Sequence, residues 1–156
     1  MEKYSKMSGD YFQNGYCCAE SVLLAVAEAY NIKSDLIPKI ATGFCTGIAK
    51  TDSLCGAMTG GILGINVLTG RTEPNADRTE NYELIQDLTE YFRENFKELS
   101  CKGVCGHDLA TLEGQEAFEK AGAKSHCTSV VINTTLQVLE LLKEHFEIKR
   151  ITTENA

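Results

Sequence analysis

Seven cysteines are the residues best equipped for chemistry in this 156-residue chain: Cys17, Cys18, Cys45, Cys55, Cys101, Cys105 and Cys127. A thiolate is both a nucleophile and a soft metal ligand. It forms most readily at a helix N-terminus, where free N–H groups and the dipole stabilise negative charge. The apolar spacing places Cys18, Cys55 and Cys127 each in the first turn of a separate helix. Cys101 is a fourth, in a loop whose Gly103 and Gly106 can bend the backbone around a ligand. In the stretch LCGAMTGG, Cys55 is followed by Gly56, Ala57, Gly60 and Gly61. A helical glycine costs roughly 1 kcal/mol relative to alanine. Gly56 and Gly60 therefore read as points of close approach, by another helix or by a bound cofactor.

The sulfurs support three readings. The first is an iron–sulfur cluster for electron transfer or redox sensing, held by Cys18, Cys55, Cys101 and Cys127, with Cys45 and Cys105 in reserve. Four thiolates are balanced by a multinuclear iron cluster, or by a zinc ion with nearby N–H donors. The second is a metal-free thiol–disulfide oxidoreductase or sulfur-transfer enzyme. Its exchanging pair would be Cys101 and Cys105, one turn apart if helical, or the adjacent Cys17 and Cys18. The third is a structural zinc module, which would unfold on chelation. Any single cysteine could equally be core filler, since a free thiol behaves as a small hydrophobe; that explanation is strained for all seven. The chain has no C-x2-C, which excludes zinc-ribbon, rubredoxin and ferredoxin patterns, so only folding can assemble a site. His107 and His126 flank the Cys101–Cys105 loop and Cys127 and read as polar loop residues, although either could complete a zinc or iron site. His145, in KEHFE, reads as solvated. No Ser-His-Asp order, P-loop or dinucleotide fingerprint occurs.

The elements that must position these residues are helices. Apolar positions recur at three and four, and alternating β-branched runs are missing. Lys3 to Gln13 predicts a first helix closed by Asn14-Gly15. Cys18, Val22, Ala25, Val26 and Ala29 stripe a second. Asp35 is expected to cap a short third helix with Pro38 in its first turn. GFCTGIAKTDS reads as a loop around Gly43 and Gly47, with Asp52 or Ser53 capping a fourth helix that ends near Gly70. A long amphipathic helix follows, striped by Leu84, Ile85, Leu88, Phe92 and Phe96. Cys101 to Gly122 is irregular, with one short helix around Gln115 to Lys120. The last helix is striped by Ile132, Leu136, Leu139, Leu142 and Phe146, and Thr152 to Ala156 is expected to fray. The fold class is all-α: one irregular bundle of six or seven helices making a single domain over residues 1–156.

Composition narrows the partners. The net charge of −7 repels phosphate backbones, so nucleic acid is excluded as a partner. MEKYSKMSGDYF has no apolar core that could act as a secretory signal, and no apolar run approaches the ~18–20 residues of a membrane span. A cytoplasmic location is the expectation, and in a reducing cytosol many cysteines point to metal or redox chemistry. The redox partner is not specified by sequence. Small-residue helix faces suit a homodimer, in which a cluster can sit between subunits.

The chain also resembles a family of small redox-active proteins whose label spells one cysteine, then GCAxxG, then two more cysteines. The matching stretches are NGYCCAESVL with Cys18, Cys55 to Gly60, SCKGVCGHDL with Cys101, and HCTSVV with Cys127. In the central stretch cysteine precedes glycine, the reverse of the label's order. Cys17, Cys45 and Cys105 fall outside the four landmarks. The resemblance implies a redox role on the same four cysteines. A related domain in split-Soret cytochromes, alongside an iron–sulfur centre, implies a cluster rather than a bare dithiol, although no haem motif C-x-x-C-H occurs here.

Overall fold

The computed structural model describes residues 1–154, including all side chains in that span except those of residues 151, 152 and 154. The three- and four-residue spacing of apolar positions does produce an all-helical chain. Among the described residues there are eight α-helices: α1 (Glu2–Gln13), α2 (Cys18–Ala29), α3 (Cys45–Lys50), α4 (Gly56–Thr69), α5 (Thr79–Phe96), α6 (Cys101–Cys105), α7 (Leu112–Lys120) and α8 (Lys124–Glu154). A 3₁₀ helix spans Lys39–Phe44. The only strand-like pairing among the described residues is an isolated antiparallel bridge between Leu54 and Ser100.

Helices α2, α4 and α8 pack on one another; α1 covers α2 and α8, and α5 covers α4 and α8. Their shared core holds Val22, Val26, Ile65, Leu88, Phe92, Val131, Val138 and Leu142, all fully buried. Each of the larger side chains contributes about 1.5–3 kcal/mol by leaving water. Glycines on α4 set how closely its neighbours approach. A Cβ on Gly60 would stand 2.5 Å from the Ala19 carbonyl oxygen of α2. One on Gly61 would stand 2.9 Å from Leu88 Cδ2 and 3.0 Å from Val138 Cγ2. The poor helix propensity of these glycines is thus offset by three-sided packing.

Several expectations require correction. The third helix is a 3₁₀ turn that begins after Pro38 rather than an α-helix capped by Asp35. A residue before proline is pushed out of the α region, which blocks a helix running through Ile37. Asp52 does not cap α4. Its Oδ1 instead accepts the Lys102 N–H at 2.8 Å, at the start of α6, and Cys55 itself is the N-cap residue of α4. The C-x3-C loop is a helical turn, α6, closed by Gly106 with φ 80°. On α8, Leu139 and Leu142 are buried as expected, but Ile132 and Leu136 are half-buried and Phe146 is exposed. Val131, Thr134, Thr135 and Val138 are buried as deeply as Leu142. Helix α8 contacts α1 on one side and α2, α4 and α5 on others, so its buried face is wider than one stripe. His145 is not solvated: its side chain is 11 % exposed, packs on Phe146 and faces Glu80 Oε2 at 3.7 Å. Of the expected frayed tail, Thr152 to Glu154 continue α8, and Asn155 and Ala156 lie outside the described residues. No helix among the described residues is long and apolar enough to cross a membrane.

Candidate metal centre

Six of the seven cysteines line one cavity of about 290 Å³: Cys17, Cys18, Cys55, Cys101, Cys105 and Cys127. They come from the starts of α2, α4, α6 and α8 and from the end of α6. At α2, the Cys17 N–H donates to Glu20 Oε2 at 2.8 Å, a reciprocal cap that fixes the helix start and puts Cys18 at its first position. The Cys55 N–H donates to the Leu99 carbonyl at 2.7 Å, and the Cys101 N–H to the Ser53 carbonyl at 2.8 Å. These two bonds, with Asp52 on Lys102, clamp the approach to α4 against the start of α6 and bring Cys55 and Cys101 to the same wall. Cys127 enters from the first turn of α8. Phe12, Tyr16, Val104, Leu109, Phe118 and Val131 supply apolar walls, and Lys124 and Glu119 also reach the lining.

The glycines beside Cys55 now separate by role. A Cβ on Gly56 would overlap Cys18 Sγ, so glycine here lets one sulfur lie against the backbone that carries the next. Gly56 lines the cavity, whereas Gly60 does not and serves the packing of α2 on α4. Gly47 belongs to the same arrangement, because its Cβ would stand 2.6 Å from Cys101 Cβ.

Helix α3 is one turn of left-handed helix. Thr46, Gly47, Ile48 and Ala49 have φ of 54°, 63°, 56° and 53°, and Lys50 follows at 64°. For an L-residue other than glycine this conformation costs roughly 1–2 kcal/mol. Such strain persists only where the surroundings over-determine it. Here the surroundings are the site itself: Cys45 opens the turn, the Thr46 N–H donates to the Cys18 sulfur, and Gly47 abuts Cys101.

The thiols are not equivalent. The Cys45 S–H donates to Cys18 and, with the N–H groups of Thr46 and Ala19, holds the Cys18 pKa down to about 7 against the opposing effect of burial. The same bond, together with burial, raises Cys45. Burial pushes Cys55 up to about 12, with Cys18 adding to the rise and the N–H groups of Ala57 and Met58 opposing it. Burial likewise raises Cys127 to about 12, reinforced by Cys105, Cys55 and Cys18. Cys101 is raised by burial and by Cys105, Cys55 and Cys18. The sulfurs around the cavity thus act on one another's ionisation. A cation placed among them would oppose the rise at Cys55, Cys101 and Cys127, because it favours every thiolate at once.

Two donor sets emerge. The four sulfurs expected as ligands, Cys18, Cys55, Cys101 and Cys127, share the cavity with Cys105, whose S–H donates to the His107 carbonyl at 3.3 Å. The second set is Cys17, Glu20 and Cys45, whose ligand atoms all lie within 4.8 Å of one another, the one such group among the described residues. It has the donors and spacing to hold a metal ion. Glu20 had not been singled out by sequence; its signal was the C-x-x-E spacing of a helix cap. His107 and His126 stay outside the cavity lining. His107 packs on Phe118 and His126 Nε2 lies 2.9 Å from the Val104 carbonyl oxygen.

No curated protein and no solved structure gives a significant match to the chain. A family model described as "Putative redox-active protein (C_GCAxxG_C_C)" matches residues 16–141, a span holding all seven cysteines and every wall of the cavity except Phe12 and Gly15. With four separated thiols converging from four helix starts, the chain belongs to this redox-active cysteine family.

Proposed function

We propose that the cavity holds an iron–sulfur cluster on Cys18, Cys55, Cys101 and Cys127 and that the protein works in electron transfer or redox sensing. The observation that supports this reading is the convergence of those four thiols on one cavity, no three of them lying mutually within 4.8 Å of one another. A zinc ion with bonds of about 2.3 Å draws four sulfurs to within about 3.8 Å of each other. A multinuclear cluster carries its thiolates at the corners of a larger body and suits the wider spread. When bound, such a cluster takes up and returns single electrons. The chain's own contribution is to bury the sulfurs among apolar side chains, exclude water, and aim the Thr46, Ala57 and Met58 N–H groups at the Cys18 and Cys55 sulfurs. Those donors favour the thiolate form and tune a bound centre's potential. Single serine substitutions test the ligand set. C18S, C55S, C101S and C127S should each lose iron on anaerobic purification, and C105S should keep it. Full iron retention in two or more of the first four would overturn the assignment.

A second reading, a metal-free thiol–disulfide oxidoreductase, is favoured by the lowered pKa of Cys18 beside its hydrogen-bonded neighbour Cys45. In that reading Cys18 attacks, because burial holds the Cys101 thiol of the Cys101–Cys105 pair above the ordinary range. It requires a reversible two-electron couple in protein free of metal. The absence of such a couple would remove it.

A further inference from the structure

We propose that Cys17, Glu20 and Cys45 form a second metal site, separate from the cavity cluster, which takes a single borderline-soft divalent cation of the zinc class. Cys17 and Cys45 are not among the four ligands assigned to the cavity cluster, although Cys17 lines the cavity and Cys45 adjoins Cys18. Their two sulfurs and a Glu20 carboxylate oxygen lie mutually within 4.8 Å, tighter than the sulfurs around the cavity and close to what a single tetrahedral ion requires. Two thiolates beside one carboxylate match the softness of zinc or cadmium and are a poor set for magnesium or calcium.

The scaffold is already built. Cys45 is 4 % exposed at the start of α3, and Cys17 and Glu20 are fixed in one capping box at the start of α2. Glu20 is held on both oxygens: Oε2 accepts the Cys17 N–H at 2.8 Å and Oε1 accepts the Thr42 hydroxyl at 2.6 Å. No ion pair reaches Glu20 among the described residues, so a half-buried carboxylate faces two thiols with no cation to balance it. Binding replaces two S–H bonds with two metal–sulfur bonds and releases two protons; with the Glu20 carboxylate as third donor the dication site carries one net negative charge, and a water can fill the fourth tetrahedral position. Cys17 lines the cavity and Cys45 is hydrogen-bonded to Cys18, so the ion would sit in the wall behind Cys18 and tie α2 to the left-handed turn.

Cadmium titration of the anaerobically purified full chain tests this, with iron and sulfide measured on the same sample. The expected result is one cadmium per chain with two-thiolate charge-transfer absorption in the ultraviolet and release of two protons. In C17S and C45S that absorption should fall by half or vanish. In E20Q the absorption should persist while affinity drops about tenfold or more. Cadmium uptake unchanged in C17S/C45S but abolished in C55S/C101S would place the ion in the cavity and overturn the proposal. So would no cadmium uptake by protein whose iron is fully loaded. If the protein carries no iron, the difference between wild type and C17S/C45S still reads this site alone, so the two readings fail separately.

Discussion

Cys18 differs from Cys17, Cys55, Cys101 and Cys127 around the cavity because its pKa is lowered where theirs are raised. The cause is the Cys45 S–H together with the Thr46 and Ala19 N–H groups. Alkylation of metal-free protein across pH should show one thiol reacting with a midpoint near 7. That phase should disappear in C18S and move to higher pH in C45A, because the donor is gone; an unmoved midpoint in C45A would contradict the account. The other sulfurs set the opposite pH dependence of stability. Cys55 and Cys127 ionise near the ordinary thiol value, about 9, when the chain is unfolded, but only towards about 12 when it is folded. Raising the pH through this window therefore stabilises the unfolded state by ionisation that the folded state refuses. Metal-free protein should lose stability between about pH 9 and 12, measured as a falling urea midpoint. Cys18 runs the other way: its contribution is present above about 9 and is lost as pH falls through about 7.

At the scale of elements, two glycines on α4 have separable roles. Gly60→Ala would drive a methyl group to 2.5 Å from the Ala19 carbonyl oxygen, and α2 and α4 would have to part. The overpacking cost, roughly 1–3 kcal/mol, exceeds the ~1 kcal/mol gained in helix propensity. Net destabilisation, with the surviving folded protein keeping its thiol reactivity, is the expected outcome of denaturant titration. Gly56→Ala meets Cys18 Sγ instead, so it should disturb the Cys18 alkylation midpoint as well as stability. In α3 the sign reverses. Ala49 is exposed with φ 53°, and Ala49→Gly should stabilise the fold by about 0.5–1 kcal/mol, the relief of left-handed strain less the entropy of glycine. A lower unfolding midpoint would contradict the strained turn.

The same elements show what could be read from sequence. Residue periodicity is local, so the long helices and the placement of Cys18, Cys55 and Cys127 near helix starts were legible. The left-handed turn was not, because Gly47 alone marks a run whose other residues are Thr46, Ile48, Ala49 and Lys50, none of them conformationally permissive. Asp52 carried a true capping signal, but the helix it caps begins 49 residues further on, across the Leu54–Ser100 bridge. The Cys17–Glu20–Cys45 group was hidden for the same reason: half of it is a local cap and the other half arrives through the 3₁₀ helix and α3.

Taken whole, the molecule is a bundle whose central helices α2, α4 and α8 bring four sulfurs near their N-termini to one end, two of them from α2, where α6 adds two more. Helix dipoles and free N–H groups thus converge on a pocket walled by apolar side chains, an arrangement suited to negative charge only when a cation shares it. The central claim is that a multinuclear iron centre supplies that cation. Iron and acid-labile sulfide content of anaerobically purified protein tests it most directly. Brown protein with several iron atoms and matching sulfide per chain is the predicted result; colourless protein that takes up no iron on anaerobic reconstitution would contradict it.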